Sequence, residues 1–448
     1  MKLQDILDEL SNPYIVGGAV RDIIMNKGLS YVSMFNGNVT DLFVDIDIHD
    51  VDICTSDTPE EIKVKFPDDY YVIGEKFGTV CLRTDDFGDI EATTFRKEIG
   101  GRHPEVWFTD NIWDDLKRRD FTINALALDE KGNITGSWQS IYDLINGIIR
   151  SVGESKERII AKYGGDELRS VRAIRFANRY GFMIENQTAI TITQSTLDDV
   201  SWNRIRDEIF KMFDDNAANA VLLMDHFGIL DTVIPEVVRL KKCNHNPVNH
   251  PEGNAFIHTI CALKASDRLG FNPLTKFGIL LHDIGKPVVK NGTTYHGHDK
   301  EGVSIARNIM NRFNMSKTDT DQISFVVEKH MQIHKFEEMR PIKKVRVLSD
   351  PRINMLIDVH VADICAKKTN ENLFFIYNDI IEYFKFTWEN IQPPTKTEIF
   401  INGNDLINLG LEPGPGFKTI LDSAEEQQIL GNISTREEAI EYIQTNWL

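Results

Sequence analysis

The sequence predicts an α+β chain, with a mixed or antiparallel sheet over residues 1–145 and helices alone beyond it. Three observations carry this. Short apolar runs bounded by turn residues fill the first third of the chain. From about residue 150 onward, apolar residues recur at three-four spacing. At 448 residues the chain also exceeds one ordinary domain. In order, Leu3, Ile6, Leu7 and Leu10 share one face of a short amphipathic helix. Tyr14, Ile15 and Val16 form a short run ending in Gly17 and Gly18, and a helix begins over Val20–Met25. Tyr70–Ile73, Gly78–Leu82 and Ile90–Phe95 read as antiparallel strands. Helical patterns follow over 166–180, 203–213, 216–228 and 301–313. Asn244–Gly253, with two prolines, reads as a linker, and Gln392, Pro393 and Pro394 mark another boundary. The expected domains are therefore 1–145, 146–243, 244–392 and 393–448.

Composition sets limits. With 42% hydrophobic and 26% charged residues, the chain has the make-up of a soluble globular protein. It has no apolar run of about 18 residues, which argues against a membrane span. The acids among the first ten residues argue against a secretory signal. Cys54, Cys81, Cys243, Cys261 and Cys365 form no Cys-x-x-Cys pair, which suits a reducing, cytoplasmic setting. A net charge of −18 disfavours nucleic-acid binding over the surface as a whole. Local clusters oppose that balance: Lys117-Arg118-Arg119, and Arg169, Arg172, Arg175 and Arg179.

Two constellations carry chemistry. In the first, Gly17 and Gly18 lie between a strand and a helix, where backbone amides can approach a triphosphate and Arg21 can add a contact. Alone, such a pair is more often a plain tight turn. Asp50 and Asp52 stand two apart, so on a strand both carboxylates face one side, an arrangement that suits Mg²⁺ shared with phosphates. Asp45 and Asp47 repeat the spacing, which equally fits a solvated strand face. Glu91 offers a third carboxylate.

These segments read Gly-Gly-Ala-Val-Arg-Asp from Gly17, Asp-Val-Asp-Ile-Cys-Thr-Ser-Asp from Asp50, Glu-Ala-Thr-Thr-Phe-Arg from Glu91 and Asp-Leu-Lys-Arg-Arg-Asp-Phe-Thr-Ile-Asn-Ala from Asp115. In that order they resemble the bacterial-type CCA-adding enzymes and their poly(A) polymerase relatives. The resemblance implies a nucleotidyltransferase head followed by a helical neck and body. It selects Asp50 and Asp52 as Mg²⁺ ligands, with Glu91 assisting, and makes 30–48 an insertion. Gly18, Arg21 and Arg119 would hold the triphosphate. Asp166 and Arg169, neighbours on one helix face, would read the base of the incoming nucleotide, and Arg172 and Arg175 would continue toward the triphosphate. Gly165 stands where family members commonly carry glutamate, and the loop between Arg96 and Asp115 is shorter than usual.

In the second constellation, His282-Asp283 follows the apolar run Phe277–Leu281. Imidazole and carboxylate together suit Ni²⁺, Mn²⁺, Fe²⁺ or Mg²⁺. An isolated pair of this kind is weak evidence. His258, His298, His330 and Asp363 follow in an order that resembles the HD phosphohydrolases, and His250–His258 is similar to the start of the HD module fused to some CCA-adding enzymes. The resemblance implies His258, His282, Asp283 and Asp363 as ligands, with His298 and His330 as lesser candidates and His296 as a bystander.

The implied activity is addition of CCA to the tRNA 3′ end from CTP and ATP, with a phosphohydrolase acting on RNA ends or small phosphoesters. The implied form is a monomer or homodimer. Two alternatives keep the same head as a poly(A) polymerase or a CC-adding enzyme. A third, of another class, is a hydrolase whose head only binds RNA.

Overall fold

The computed structural model describes residues 1–35, 37–44, 46, 51–72, 77–99, 104–244, 253–367, 372–390 and 399–448. Asp45, Asp47, Asp50 and the boundary at 392–394 lie outside them, as does most of the expected linker. The chain forms two compact units, Met1–Val233 and Ile234–Leu448.

The first unit is built on strands β1 (Tyr14–Val16), β2 (Asp52–Thr55), β3 (Tyr70–Val72), β4 (Thr79–Thr84), β5 (Gly88–Thr94), β6 (Arg96–Ile99), β7 (Glu105–Phe108), β8 (Leu126–Asp129) and β9 (Ile134–Gly136). Seven of them form one sheet in the order β3-β4-β5-β2-β1-β8-β9, while β6 and β7 make a separate ribbon. Among the described residues β2 and β5 pair in parallel, and the other pairs of the sheet are antiparallel. The N-terminal helix Leu3–Glu9 buries Leu3, Ile6 and Leu7, the face its spacing predicts. Helix Pro59–Lys65 starts on a Thr58–Glu61 capping box with proline at its first position.

Beyond the sheet, helix Leu168–Tyr180 packs along helix Trp202–His226. The latter is kinked at Asn216, where the backbone leaves helical geometry (φ −156°, ψ 96°), so the two predicted segments 203–213 and 216–228 are halves of one bent rod.

The second unit is helical throughout its described residues. Helices Ala255–Leu269, Pro273–Leu281, Lys317–Ile333 and Ile353–Ala366 pack together, with His298–Arg312 against Lys317–Ile333. Pro273–Leu281 is apolar nearly all round because it is central: every residue from Thr275 to Leu281 is buried. Helices Gly403–Asn408, Gly416–Ile429 and Arg436–Trp447 gather a smaller core of Ile401, Leu406, Ile420, Ala424, Ile433, Ala439 and Ile443.

Candidate nucleotidyl-transfer and metal sites

The first site forms where β1 ends. Gly17 has φ +72°, a conformation open to glycine, and turns the chain from β1 into helix Gly18–Lys27. A Cβ on Gly17 would lie 2.8 Å from Arg119 Nη1 and 3.9 Å from Asp52 Oδ2. The missing side chain is therefore what lets the turn, the carboxylate and the guanidinium share one small space. Asp52 pairs in register with Glu91 across β2 and β5, so both carboxylates face the same side of the sheet. Glu91 is exposed and Asp52 half-buried. Two neighbouring acids open to solvent suit a hard divalent cation that keeps oxygen ligands from substrate.

The helix Ile112–Arg118 covers this side of β2. Asp115 is fully buried and binds Arg118 at 2.7 Å and Arg119 at 3.1 Å. Burial would raise its pKa, but the two guanidiniums outweigh that and hold it below the usual carboxylate range. Cys54 stands between Asp115 and Arg119, and burial, reinforced by Asp115, pushes its thiol up to about 12. It is thus an inert wall rather than a nucleophile.

Arg21, Arg172 and Arg175, expected to contact the triphosphate, each have side-chain partners within the protein. Arg21 donates to Asp22 at 2.8 Å and to Asn124 at 2.6 Å, and its guanidinium lies over the Tyr180 ring at 4.6 Å. Asn124 in turn donates to Asp120, whose other oxygen binds Arg172 at 2.6 and 2.8 Å. Arg172 and Arg175 also meet Glu208, at 3.4 and 2.5 Å. Asp22 on the same helix meets Arg21, and the buried carboxylates of Asp120 and Glu208, from other elements, meet Arg172 and Arg175, as buried charges need partners. Asp120, Asn124 and Glu208 were not singled out from the sequence. The first two lie inside the Arg-Arg-Asp-Phe-Thr-Ile-Asn run and were within reach there.

Asp166 and Arg169 share a helix start, where the Arg169 amide donates to the Asp166 carbonyl at 3.0 Å, but their side chains have different partners. Asp166 pairs with Arg204 at 2.7 Å, and Arg169 donates to the carbonyl of Arg118 at 3.1 Å. Arg158 caps the same chain end, donating to the carbonyls of Arg118 and Arg119, and burial beside Arg169 pushes it down to about 10. Gly165 has a steric reason. A Cβ there would lie 2.5–2.6 Å from backbone atoms of Ile159 and Ile160, so no side chain fits without moving the chain.

The second site centres on Asp283. Gly285 allows it to form: a Cβ there would lie 2.1 Å from the carbonyl of His298 and 2.7 Å from the amide of Gly302, so only glycine lets the His-Asp turn meet helix His298–Arg312. His258, His282 and Asp283 bring ligand atoms within 4.8 Å of one another, and so do Asp283, His298 and His330. Asp363 adjoins the first group, 2.8 Å from His258 Nε2. His282 Nε2 is buried without a hydrogen-bond partner, which fits a nitrogen aimed at a cation. Burial, aided by His282, pushes His330 down to about 3 and keeps it neutral, the state a ligand needs. His296 is exposed. His334, which the sequence reading passed over, binds Asp363; its place four residues after His330 was the available signal. The described residues include no helix long and apolar enough to cross a membrane.

Comparison with known proteins finds a family match around each of the two sites. The poly(A) polymerase head domain family matches residues 13–150, and the HD domain family matches 248–367. Further matches are a "Probable RNA and SrmB-binding site of polymerase A" over 181–240 and the second domain of tRNA nucleotidyltransferases over 360–443. The CCA-adding enzyme of Streptococcus mutans is 29% identical over 442 residues, 95% of this chain and 91% of that one. The A-adding tRNA nucleotidyltransferase of Deinococcus radiodurans is 28% identical over 367 residues, 77% of this chain and 81% of that one. In fold, the chain is similar to the Bacillus stearothermophilus CCA-adding enzyme crystallised with CTP (TM-score 0.69, 23% identity, 99% and 97% coverage). With a poly(A) polymerase head match and an HD domain match in one polypeptide, the chain is similar along most of its length to bacterial CCA-adding enzymes.

Proposed function

We propose that the chain adds CCA to the 3′ end of tRNA from CTP and ATP. The observation that carries this is the Gly17 turn lying against Asp52 and Arg119, with Glu91 in register beside Asp52. The tRNA 3′-oxygen forms a bond to the α-phosphorus as the bond to pyrophosphate breaks. Divalent ions, with Mg²⁺ the best fit to an all-carboxylate set of Asp50, Asp52 and Glu91, would supply charge at the attacking and leaving oxygens. The amides after Gly17 and the Arg119 guanidinium bind the triphosphate. Asp166 and Arg169 present an acceptor and a fork of donors to the base, Arg204 orienting the first and the Arg118 carbonyl the second. Arg21, Arg172 and Arg175 hold the frame that joins this helix to the turn.

Incorporation of labelled CTP and ATP into tRNA lacking its CCA end tests the reading. Addition of C, C and A by the wild type, abolished in Asp52→Ala, supports it. CTP-only addition would mark a CC-adding enzyme, and ATP-only addition to a CC end would match the activity named for the Deinococcus relative. Long A tails would mark a poly(A) polymerase.

For the HD unit we propose phosphoester hydrolysis, with His258, His282, Asp283 and Asp363 holding a transition metal that activates water. Release of a phosphomonoester from a 2′,3′-cyclic nucleotide, lost in Asp283→Ala, is its test.

A further inference from the structure

Glu167 stands in sequence between Asp166 and Arg169, the two residues proposed to read the base, and its own side chain is buried, with the residue 6% exposed. Its Oε2 accepts from the Leu197 amide at 2.5 Å and from the Thr196 hydroxyl at 3.4 Å, and its Oε1 accepts from the Ala161 amide at 3.4 Å. A carboxylate withdrawn from water needs donors of this kind.

Leu197 needs the bond in return. Its φ of +61° is a left-handed backbone that residues with a Cβ rarely adopt, and its side chain is buried. Such a conformation persists where its surroundings over-determine it, and the bond to Glu167 is one of the constraints. The chain then runs directly to a support of Asp166. The Val200 amide donates to the Leu197 carbonyl at 3.0 Å, helix Trp202–His226 starts after Ser201, and Arg204 in its first turn holds Asp166 Oδ2 at 2.7 Å. The other oxygen of Asp166 accepts from the Leu168 amide at 3.1 Å. Two adjacent acids thus grip both ends of the span 197–204, and the circuit closes on Asp166. The position before Asp166 cannot supply a support from a side chain, since none fits at Gly165.

We propose that Glu167 is a positioning residue for nucleotide choice. By pinning Leu197 it fixes Arg204, and through Arg204 it fixes the direction in which Asp166 meets the base. The proposal rests on the reading of Asp166 and Arg169 as the base-selecting pair. Cytosine offers an amino donor where uracil offers a carbonyl acceptor. An aimed carboxylate accepts from the first and repels the second, so a carboxylate that drifts loses choice between them.

The test measures kcat/KM for CTP and for UTP with the full-length chain on tRNA lacking its CCA end. Glu167→Ala should lower the CTP-over-UTP ratio about tenfold or more. Glu167→Gln keeps an acceptor oxygen for Leu197 and should hold the ratio within about threefold of wild type. Both nucleotides are assayed on one preparation, so the folded fraction cancels and a merely structural role leaves the ratio unchanged. In an Arg204→Ala background Glu167→Ala should change the ratio no further, because both act through Asp166.

An unchanged ratio in Glu167→Ala, or a full further loss in the Arg204→Ala background, overturns the proposal. An equal loss in Glu167→Gln and Glu167→Ala also overturns it, because the charge and not the bond to Leu197 would then be at work. Should the alanine variant fail to fold, Glu167→Asp decides: its shorter side chain draws back from Leu197, and an unchanged ratio there is equally fatal. Asp166→Ala separates two failures. A ratio lost in Asp166→Ala but kept in Glu167→Ala removes Glu167 alone, and a ratio kept in both removes the base-selecting reading as well. A wild type that incorporates neither nucleotide overturns the activity and the proposal together.

Discussion

Gly17→Ala should damage activity far more than stability. The native φ of +72° with ψ −127° is a region that residues with a Cβ rarely enter, and holding one there costs roughly 1–3 kcal/mol. The added methyl would also lie 2.8 Å from Arg119 Nη1. The guanidinium can retreat, but its Nη2 is held 3.1 Å from Asp115, so retreat works against a buried ion pair. Displacing a phosphate-binding group by about an ångström commonly costs on the order of 100-fold in rate. The control is Gly28→Ala. Gly28 also has a positive φ, +85°, but nothing lies within 4 Å of its virtual Cβ. Strain alone should then appear, as a stability loss of about 1 kcal/mol or somewhat more with near-normal activity. Urea unfolding gives the stability of both variants, and steady-state CTP incorporation gives kcat and KM. Equal loss of activity in the two variants would refute the reasoning, because strain without the Arg119 contact would then suffice. Normal kcat/KM in Gly17→Ala would refute it more directly.

Glu208→Ala should destabilise the first unit by about 3–5 kcal/mol in urea unfolding, since it strips Arg175 and part of Arg172 of a buried partner. Arg204→Ala frees Asp166, and kcat/KM for CTP and ATP should both fall about tenfold or more while tRNA binding, read by gel shift, is unchanged. Gly285→Ala should abolish Mn²⁺ binding by the HD unit, read by elemental analysis, while CTP incorporation persists. Burial raises the Asp358 carboxyl to about 6, so folding favours its protonated form. That contribution is fullest below its unfolded pKa near 3.8 and is lost as pH rises through about 6. Asp358→Asn should therefore raise Tm at pH 8, with the gain closing toward pH 4; an equal gain at both pH values would contradict the assignment.

Much of the local structure could be read from the chain. The face of Leu3, Ile6 and Leu7, the strands at 14–16 and 79–84, and the helix after the glycine pair follow from periodicity and turn chemistry, which depend on neighbours in sequence. The carboxylate spacing and the order of histidines were legible for the same reason. The arginine row on helix Leu168–Tyr180 was also read as a row. What it faces was not legible, because its partners Asp120 and Glu208 lie 52 and 36 residues from Arg172.

Gly165 shows the division most sharply. As a letter in the sequence it is a departure from a family pattern. In the fold it is a position where the backbone of Ile159 and Ile160 leaves no room for any side chain. Sequence by itself determined which groups could do chemistry, since donors, acceptors and charges belong to residues. Only tertiary structure decided which of them remain available, because a buried charge is claimed by whatever opposite charge packing brings beside it. That is why Arg172 and Arg175 meet Asp120 and Glu208, and why Asp115 holds Arg119 beside the glycine turn.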